Sequence, residues 1–219
     1  EIKYLGHSSF LIEAKTPSGK VKVVVDPFDS KVVGLPWRRD ISSDLLLVSH
    51  GHGDHNNVAG VLGSPYVISG PGEYEVKGVK VTGVTSFHDG EKGTQRGKNT
   101  IYLIEAEGIF ICHLGDLGHV LSDEEVSLLG KVDVLLVPVG GHYTIDSDQA
   151  MQVVNQVEPL IVVPMHYKVP GLSKGLEVLA EVSAFLRQLG KPVSEEPLLK
   201  IDKSSLPQEE MKVVVLERS

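Results

Sequence analysis

The run His50-Gly51-His52-Gly53-Asp54-His55 constrains this chain more than any other stretch. It places four metal-ligand side chains within six residues, directly after the apolar run Leu45 to Val48 and Ser49. Imidazole and carboxylate are the ligand types that suit zinc and other first-row divalent ions. Gly51 and Gly53 remove side chains between the ligands and permit tight turns, so the ligands can converge. His50 and His52 could serve one ion, and Asp54 and His55 a second. A solvated histidine-rich loop is the bland alternative. The run lies inside the chain, behind a core strand, which argues against it.

One loop cannot complete two sites, so further ligands are expected at other strand exits. In layered α/β folds the carboxyl ends of strands gather at one rim, and sites form there. His88 follows the run Val79 to Thr85. Asp116 stands in His113-Leu114-Gly115-Asp116, after Ile109 to Cys112. His166 stands in Pro164-Met165-His166-Tyr167, after Leu160 to Val163. Taken singly, each is better read as a structural histidine or a turn aspartate. Taken together, at the same kind of position, they support one polynuclear site.

The rest of the chain reads as short β runs with helices between them. Strands are expected over Ile2 to Leu5, Phe10 to Ala14, Val21 to Val25, Tyr66 to Ile68, Glu73 to Val76 and Val132 to Val137. Thr100 to Ile104 and Ile109 to Cys112 read as a hairpin turning at Glu107-Gly108, and Met211 to Leu216 as the strand that closes the second sheet. Helices are expected over Asp123 to Leu129, Asp148 to Val157 and Leu176 to Leu189, with a short one from Asn56-Asn57 to Gly63. Asp29 to Asp40 and Asp89 to Lys98 read as loops, and Lys191 to Gln208 as a surface crossing. Asp44-Leu45-Leu46-Leu47-Val48 resembles Asp133-Val134-Leu135-Leu136-Val137, a likeness that two buried parallel strands explain. No boundary divides residues 1–219, so one domain is expected. The interleaving of strands and helices indicates an α/β layered fold.

The His50–His55 run resembles the H-x-H-x-D-H signature of the metallo-β-lactamase superfamily. Gly6-His7-Ser8-Ser9-Phe10, Val25-Asp26-Pro27-Phe28, Leu114-Gly115-Asp116 and Pro164-Met165-His166-Tyr167 resemble its branch of small metal-dependent hydrolases, near the L-ascorbate-6-phosphate lactonase-like group. The match runs in order from Ile2 to about Tyr167. The resemblance implies a four-layer αββα sandwich with metals on one edge. It implies that His50, His52 and His88 hold one ion, that Asp54, His55 and His166 hold the other, and that Asp116 bridges them. Asp26 matches an early aspartate that supports a ligand. His113 competes with His88 for its place, but lies within a strand and is the weaker candidate.

The implied chemistry is hydrolysis of a small ester, lactone or phosphoester by a metal-bridging hydroxide. The implied cofactors are two divalent ions, with zinc first and manganese, iron or nickel permitted. With Asp54, Asp116 and a hydroxide counted in, the formal site charge is about +1, inside a chain of net charge −8. That suits an anionic small-molecule substrate. Asp54 could orient the nucleophile, and His7 and His142 are further catalytic candidates at the rim. A hydrogen-bonding role beside the ligands is the plainer reading for both, and His119 reads as structural. The Asp89 to Lys98 loop carries Lys92, Arg96 and Lys98 among glycines and could contact a phosphate or carboxylate. A mobile surface hairpin is its preferred reading. It is not a P-loop, since Gly97-Lys98 is followed by Asn99.

Other classes fare worse. The acidic balance argues against a protein that coats nucleic acid, though a nuclease or phosphodiesterase of the same fold stands as the alternative. A non-hydrolytic metal-binding or redox protein is a second alternative. Gly6-His7-Ser8-Ser9-Phe10 does not form a G-x-S-x-G elbow, and no H-E-x-x-H occurs. One cysteine against nine histidines excludes an internal disulfide framework and a cysteine-based zinc finger, and fits a reducing compartment. No apolar run is long enough to span a bilayer and no export pattern opens the chain, so a cytoplasmic location is expected. Glu1 stands first, as expected of a chain starting just after its initiator. A homo-oligomer is compatible with all of this.

Overall fold

The computed structural model describes residues 1–219. Two sheets pack face to face with helices outside them, the αββα arrangement expected. The first sheet contains, side by side in chain order, β1 (Ile2–Gly6), β2 (Ser9–Thr16), β3 (Gly19–Val25), β4 (Leu45–Leu47) and β5 (Tyr66–Ile68). The second contains β6 (Gly72–Val76), β7 (Val79–Phe87), β8 (Lys98–Ala106), β9 (Ile109–His113), β10 (Val134–Pro138), β11 (Ile161–Met165), β12 (Val193–Glu196) and β13 (Lys212–Leu216). Its spatial order is β12-β13-β11-β10-β9-β8-β7-β6. No helix is long and apolar enough to cross a membrane.

The strands with unbroken apolar runs are those buried on both faces, as parallel central strands must be. Side chains alternate across a strand, so each run feeds two cores. In β10, Val134 and Leu136 join the core between the sheets, while Leu135 and Val137 pack outward with the helices. In β4, Leu45 and Leu47 face the inner core and Leu46 an outer one. The repeat noted in the sequence has a structural counterpart. Asp44 accepts the Lys22 N–H at 2.8 Å and Asp133 the Phe110 N–H at 2.8 Å, each tying the start of its strand to the neighbour.

Helix α2 (Asp123–Leu129) starts at a capping box formed by Ser122 and Glu125, and α3 (Ser147–Val157) at one formed by Asp146 and Gln149. Four expectations change. A one-turn helix, α1 (Ser30–Val33), occupies the Asp29 to Asp40 stretch, capped by the Asp29 side chain and by Gly34. The helix expected from Leu176 covers only Val182–Leu189, because Ala180 donates to the Gly140 carbonyl and accepts from Lys168. Leu176 and Leu179 pack instead with Phe28, Val33 and Leu35. Strand β13 does not close its sheet: β12, from the expected surface crossing, lies outside it. The stretch from Asn56 to Gly63 holds a 3-10 turn, Val58–Gly60.

Strand direction positions the site. Strands β3 and β4 are parallel, as are β9, β10 and β11. Two antiparallel steps give β1 the direction of β3, and β7 the direction of β9. The carboxyl ends of these strands deliver His7, Asp26, His50, His88, Asp116 and His166.

Candidate metal centre

The loop after β4 is built on Asp26. This wholly buried carboxylate accepts the Ser49 N–H at 2.7 Å and the Ser49 hydroxyl at 2.6 Å, and meets Nδ1 of His55 at 2.8 Å. Ser49 Oγ also lies 2.9 Å from His50 Nδ1. The loop closes on itself through the His55 N–H to the His52 carbonyl, and on the segment after β3 through the Asp29 N–H to the Gly53 carbonyl. Each hydrogen bond on Nδ1 leaves the Nε2 of that ring for another partner.

Those Nε2 atoms converge on Asp116. His55 Nε2 lies 3.1 Å from Asp116 Oδ1, and His88 and His166 Nε2 lie 3.2 and 3.3 Å from Oδ2. His50 Nε2 is 3.9 Å from Oδ2. Asp116 is itself aimed by Asn99, whose Oδ1 accepts the Asp116 N–H at 3.0 Å while its amide nitrogen donates to the Leu114 carbonyl. Gly115 has φ +58°, and a Cβ there would strike Asn99 Oδ1. The turn therefore requires glycine.

Three groups of ligand atoms lie within 4.8 Å of one another: His50, His52 and His88; His7, Asp54, His55 and His166; and His50, His55 and Asp116. The first two correspond to the two sets that the resemblance implies, with His7 added to the second. His7 Nε2 lies 3.1 Å from Asp54 Oδ2, and its ring centroid is 4.2 Å from that of His166. The His7 carbonyl accepts the His166 N–H and the Tyr4 hydroxyl, both at 2.9 Å. His7, Asp26 and His166 have φ of 57°, 47° and 51°. Such left-handed conformations cost energy in residues other than glycine and concentrate where a site needs them. Behind His166 the chain passes Gly140, where a Cβ would strike the His166 carbonyl.

The electrostatics suit cation binding. Burial, reinforced by neighbouring imidazoles, pushes His50 down to about 3 and His7 down to about 4, so both rings are neutral near pH 7. Burial acts the same way on His55, but Asp116, Asp54 and Asp26 outweigh it and lift this ring well above the ordinary value. Burial opposes ionisation of Asp116, yet His166 and His55 hold it well below the usual carboxylate range. The Nε2 atoms of His50, His55 and His166 are buried and find no hydrogen-bond partner. Unpaired buried polar atoms are costly. Converging imidazoles and carboxylates are the donor set of a divalent metal site, so the residues fit the ions that the sequence implies.

Three histidines stand apart. His113 Nε2 contacts the Ser8 carbonyl at 2.8 Å and its Nδ1 accepts the Gly115 N–H, so it braces the loop and leaves the cluster to His88. His119 accepts the Phe87 N–H at 3.3 Å and lines a separate hollow beside α2. His142 is not at the centre. It is exposed, at φ 59°, and opens into another hollow lined by Asp146 and Gln188. The turn after Gly140-Gly141 aims the next residue inward instead: Tyr143 lines a cavity of about 310 Å³ with His52, Asp54, His88 and Asp116. Arg96 and Leu176 complete its wall. Tyr143, Asn99 and Ser49 were not singled out by sequence reasoning. Their only signal was position, within one residue of His142, just before a strand core, and beside His50.

The sequence profile of the β-lactamase superfamily domain matches residues 1–166. A UPF0173 metal-dependent hydrolase of Pyrococcus abyssi is 32% identical over 197 residues, covering 76% of this chain and 84% of its own. A crystal structure of a metallo-β-lactamase-superfamily protein from Thermotoga maritima superposes with a TM-score of 0.79 at 38% identity. It covers 98% of this chain and 97% of its own. A metallo hydrolase from Ignicoccus hospitalis, 22% identical with a TM-score of 0.62 over 86% of this chain and 89% of its own, shares the fold. Whole-length likeness, matched profile and converging ligands agree: the chain belongs to the UPF0173 metal-dependent hydrolase family of the metallo-β-lactamase superfamily.

Proposed function

We propose that this hydrolase cleaves a small ester, lactone or phosphoester with two divalent ions, zinc foremost. The observation that supports the reading is Asp116, whose two carboxylate oxygens meet imidazoles from both ligand groups. In this reading His50, His52 and His88 hold one ion, Asp54, His55 and His166 hold the other, and Asp116 joins them. Divalent ions bound there supply a water acidified to a pKa of about 7 and a Lewis acid for the oxygen that gains charge.

The chain's own groups orient and protonate. Asp26 holds the proton of His55 on Nδ1 and so presents its Nε2 to the site. His7 donates from Nε2 to Asp54 Oδ2 and fixes that carboxylate in one orientation. Asp54 Oδ1 then accepts a hydrogen bond from the attacking water and aims it. The proton that the attacking water passes to Asp54 is the one available to the departing oxygen, while His7, neutral with its Nε2–H on Asp54, holds that carboxylate in place. His142, facing another hollow, has no part in this scheme. A lactone like that of L-ascorbate 6-phosphate stays among the candidate substrates through the motif resemblance.

The test is metal analysis of protein purified without added metal, followed by turnover of a lactone, bis-p-nitrophenyl phosphate and DNA. Two ions per chain, one lost in His52→Ala, and turnover of one of the small substrates are expected. Turnover of DNA alone would transfer the reading to a nuclease. Absence of metal in the wild type, or unchanged metal content in His52→Ala, would overturn the proposal.

A further inference from the structure

The loop between His88 and β8 is tethered, not a free hairpin. The Asp89 carboxylate accepts four backbone N–H groups: Glu91 at 2.8 Å, Gly93 at 2.9 Å, Gln95 at 3.0 Å and Arg96 at 2.8 Å. The His88 N–H donates to the Gly97 carbonyl at 3.0 Å, closing the loop at its base. Gly118 packs against it so tightly that a Cβ would strike the Asp89 nitrogen. At the end of this ordered loop, Arg96 lines the cavity that His52, Asp54, His88 and Asp116 also line.

Arg96 is half-buried and its guanidinium makes no ion pair, although the chain has an excess of acids. The carboxylates of the cavity are already engaged by imidazoles. Its carbon lies 5.7 Å from the Tyr143 ring centroid, and the Tyr143 hydroxyl donates to the Gly175 carbonyl at 2.8 Å. An aromatic face restrains the guanidinium without consuming its in-plane donors. Those donors match a carboxylate or phosphate in bidentate geometry.

We propose that Arg96 is the specificity-determining residue of this site: it binds an oxyanion, carboxylate or phosphate, on the substrate molecule whose scissile bond faces the metal ligands. Asp89 acts through it as a positioning residue. A cavity of about 310 Å³ is at the small end of ligand sites, so anion and scissile bond belong to one small molecule. The inference rests on the hydrolase reading above and narrows its substrates to anionic ones.

The test is calorimetric binding to zinc-loaded protein of malonate, succinate and glutarate, each beside its monomethyl ester. One carboxylate of each can reach the metal, and only the diacid has a second for Arg96. For the diacid of fitting length, the wild type should favour the diacid by about ten- to a hundredfold, the worth of a charge-assisted hydrogen bond. Arg96→Ala should abolish that preference with metal content unchanged, and Arg96→Lys should restore part of it. A wild type that discriminates in no pair, or a preference that survives in Arg96→Ala, overturns the proposal. Discrimination that depends on Arg96, without turnover of any ester, lactone or phosphoester, would sink the hydrolase reading and leave the anion site standing.

Discussion

Asp26→Asn tests whether the ligand set is held by a hydrogen-bond relay. Asparagine is isosteric and tolerates the left-handed φ of 47° at this position, so the backbone need not move. Its Oδ1 can keep the bond from the Ser49 N–H, now 2.7 Å. Its amide nitrogen then takes the place of the oxygen that meets His55 Nδ1 at 2.8 Å. An N–H facing Nδ1 makes that nitrogen an acceptor, which sends the ring proton to Nε2. Nε2 is the atom 3.1 Å from Asp116 Oδ1, and once protonated it cannot bind metal. Loss of such a supporting partner lowers metal affinity about ten- to a hundredfold, or about 1.4 to 2.7 kcal/mol. Competition with a chromophoric zinc chelator near neutral pH measures it, and circular dichroism of the metal-free variant checks the fold. A folded variant that binds zinc within about twofold of wild type would refute the relay, since the effect should be at least tenfold.

Three other outcomes are expected. His7→Ala should lower turnover more than metal content, by about tenfold or more, because Asp54 loses the donor that fixes it. Equal loss of both, measured by kinetics and metal analysis together, would make it a ligand instead. Gly140→Ala should destabilise the metal-free protein by about 1–3 kcal/mol in denaturant unfolding, through overpacking against the His166 carbonyl. Unchanged stability would mean that β10 and β11 can separate there at no cost. Asp89, held down to about 2 by the Arg96, Glu91, Gly93 and Gln95 N–H groups, should keep its bonds as the pH falls past the ordinary 3.8. A depressed carboxylate contributes its stability above the unfolded value and loses it only through the folded one. Amide NMR shifts of those four residues should therefore be flat between pH 6 and 4, and a titration step near 3.8 would refute the tether.

The candidate ligands were legible because each is tied to a strand by adjacency. A β run that ends in His50, Asp116 or His166 must present that residue at its carboxyl end, whatever the rest of the chain does. The unbroken apolar run Val134 to Val137 likewise announced a strand buried on both faces. Local pattern failed where a distant partner held the backbone. Leu176 and Leu179 have helical spacing with Val182 and Leu186, yet Gly140 and Lys168 capture Ala180 and stop the helix there. Val193 to Glu196 has no apolar run, and becomes strand because β13 offers it an edge.

The sequence by itself determined the α/β layered class and the strand that carries the His50–His55 run, which follow from local periodicity, while the αββα arrangement and the candidate ligand sets followed from the motif resemblance. Tertiary structure alone set His113 to brace the loop through the Ser8 carbonyl and the Gly115 N–H, put Tyr143 and not His142 into the cavity, and turned an apparent surface hairpin into a mount for Arg96. The physical reason is the same in all three cases. A side chain's direction is set by the backbone torsion and the distant hydrogen bonds at its own residue, and neither is written in the residues beside it.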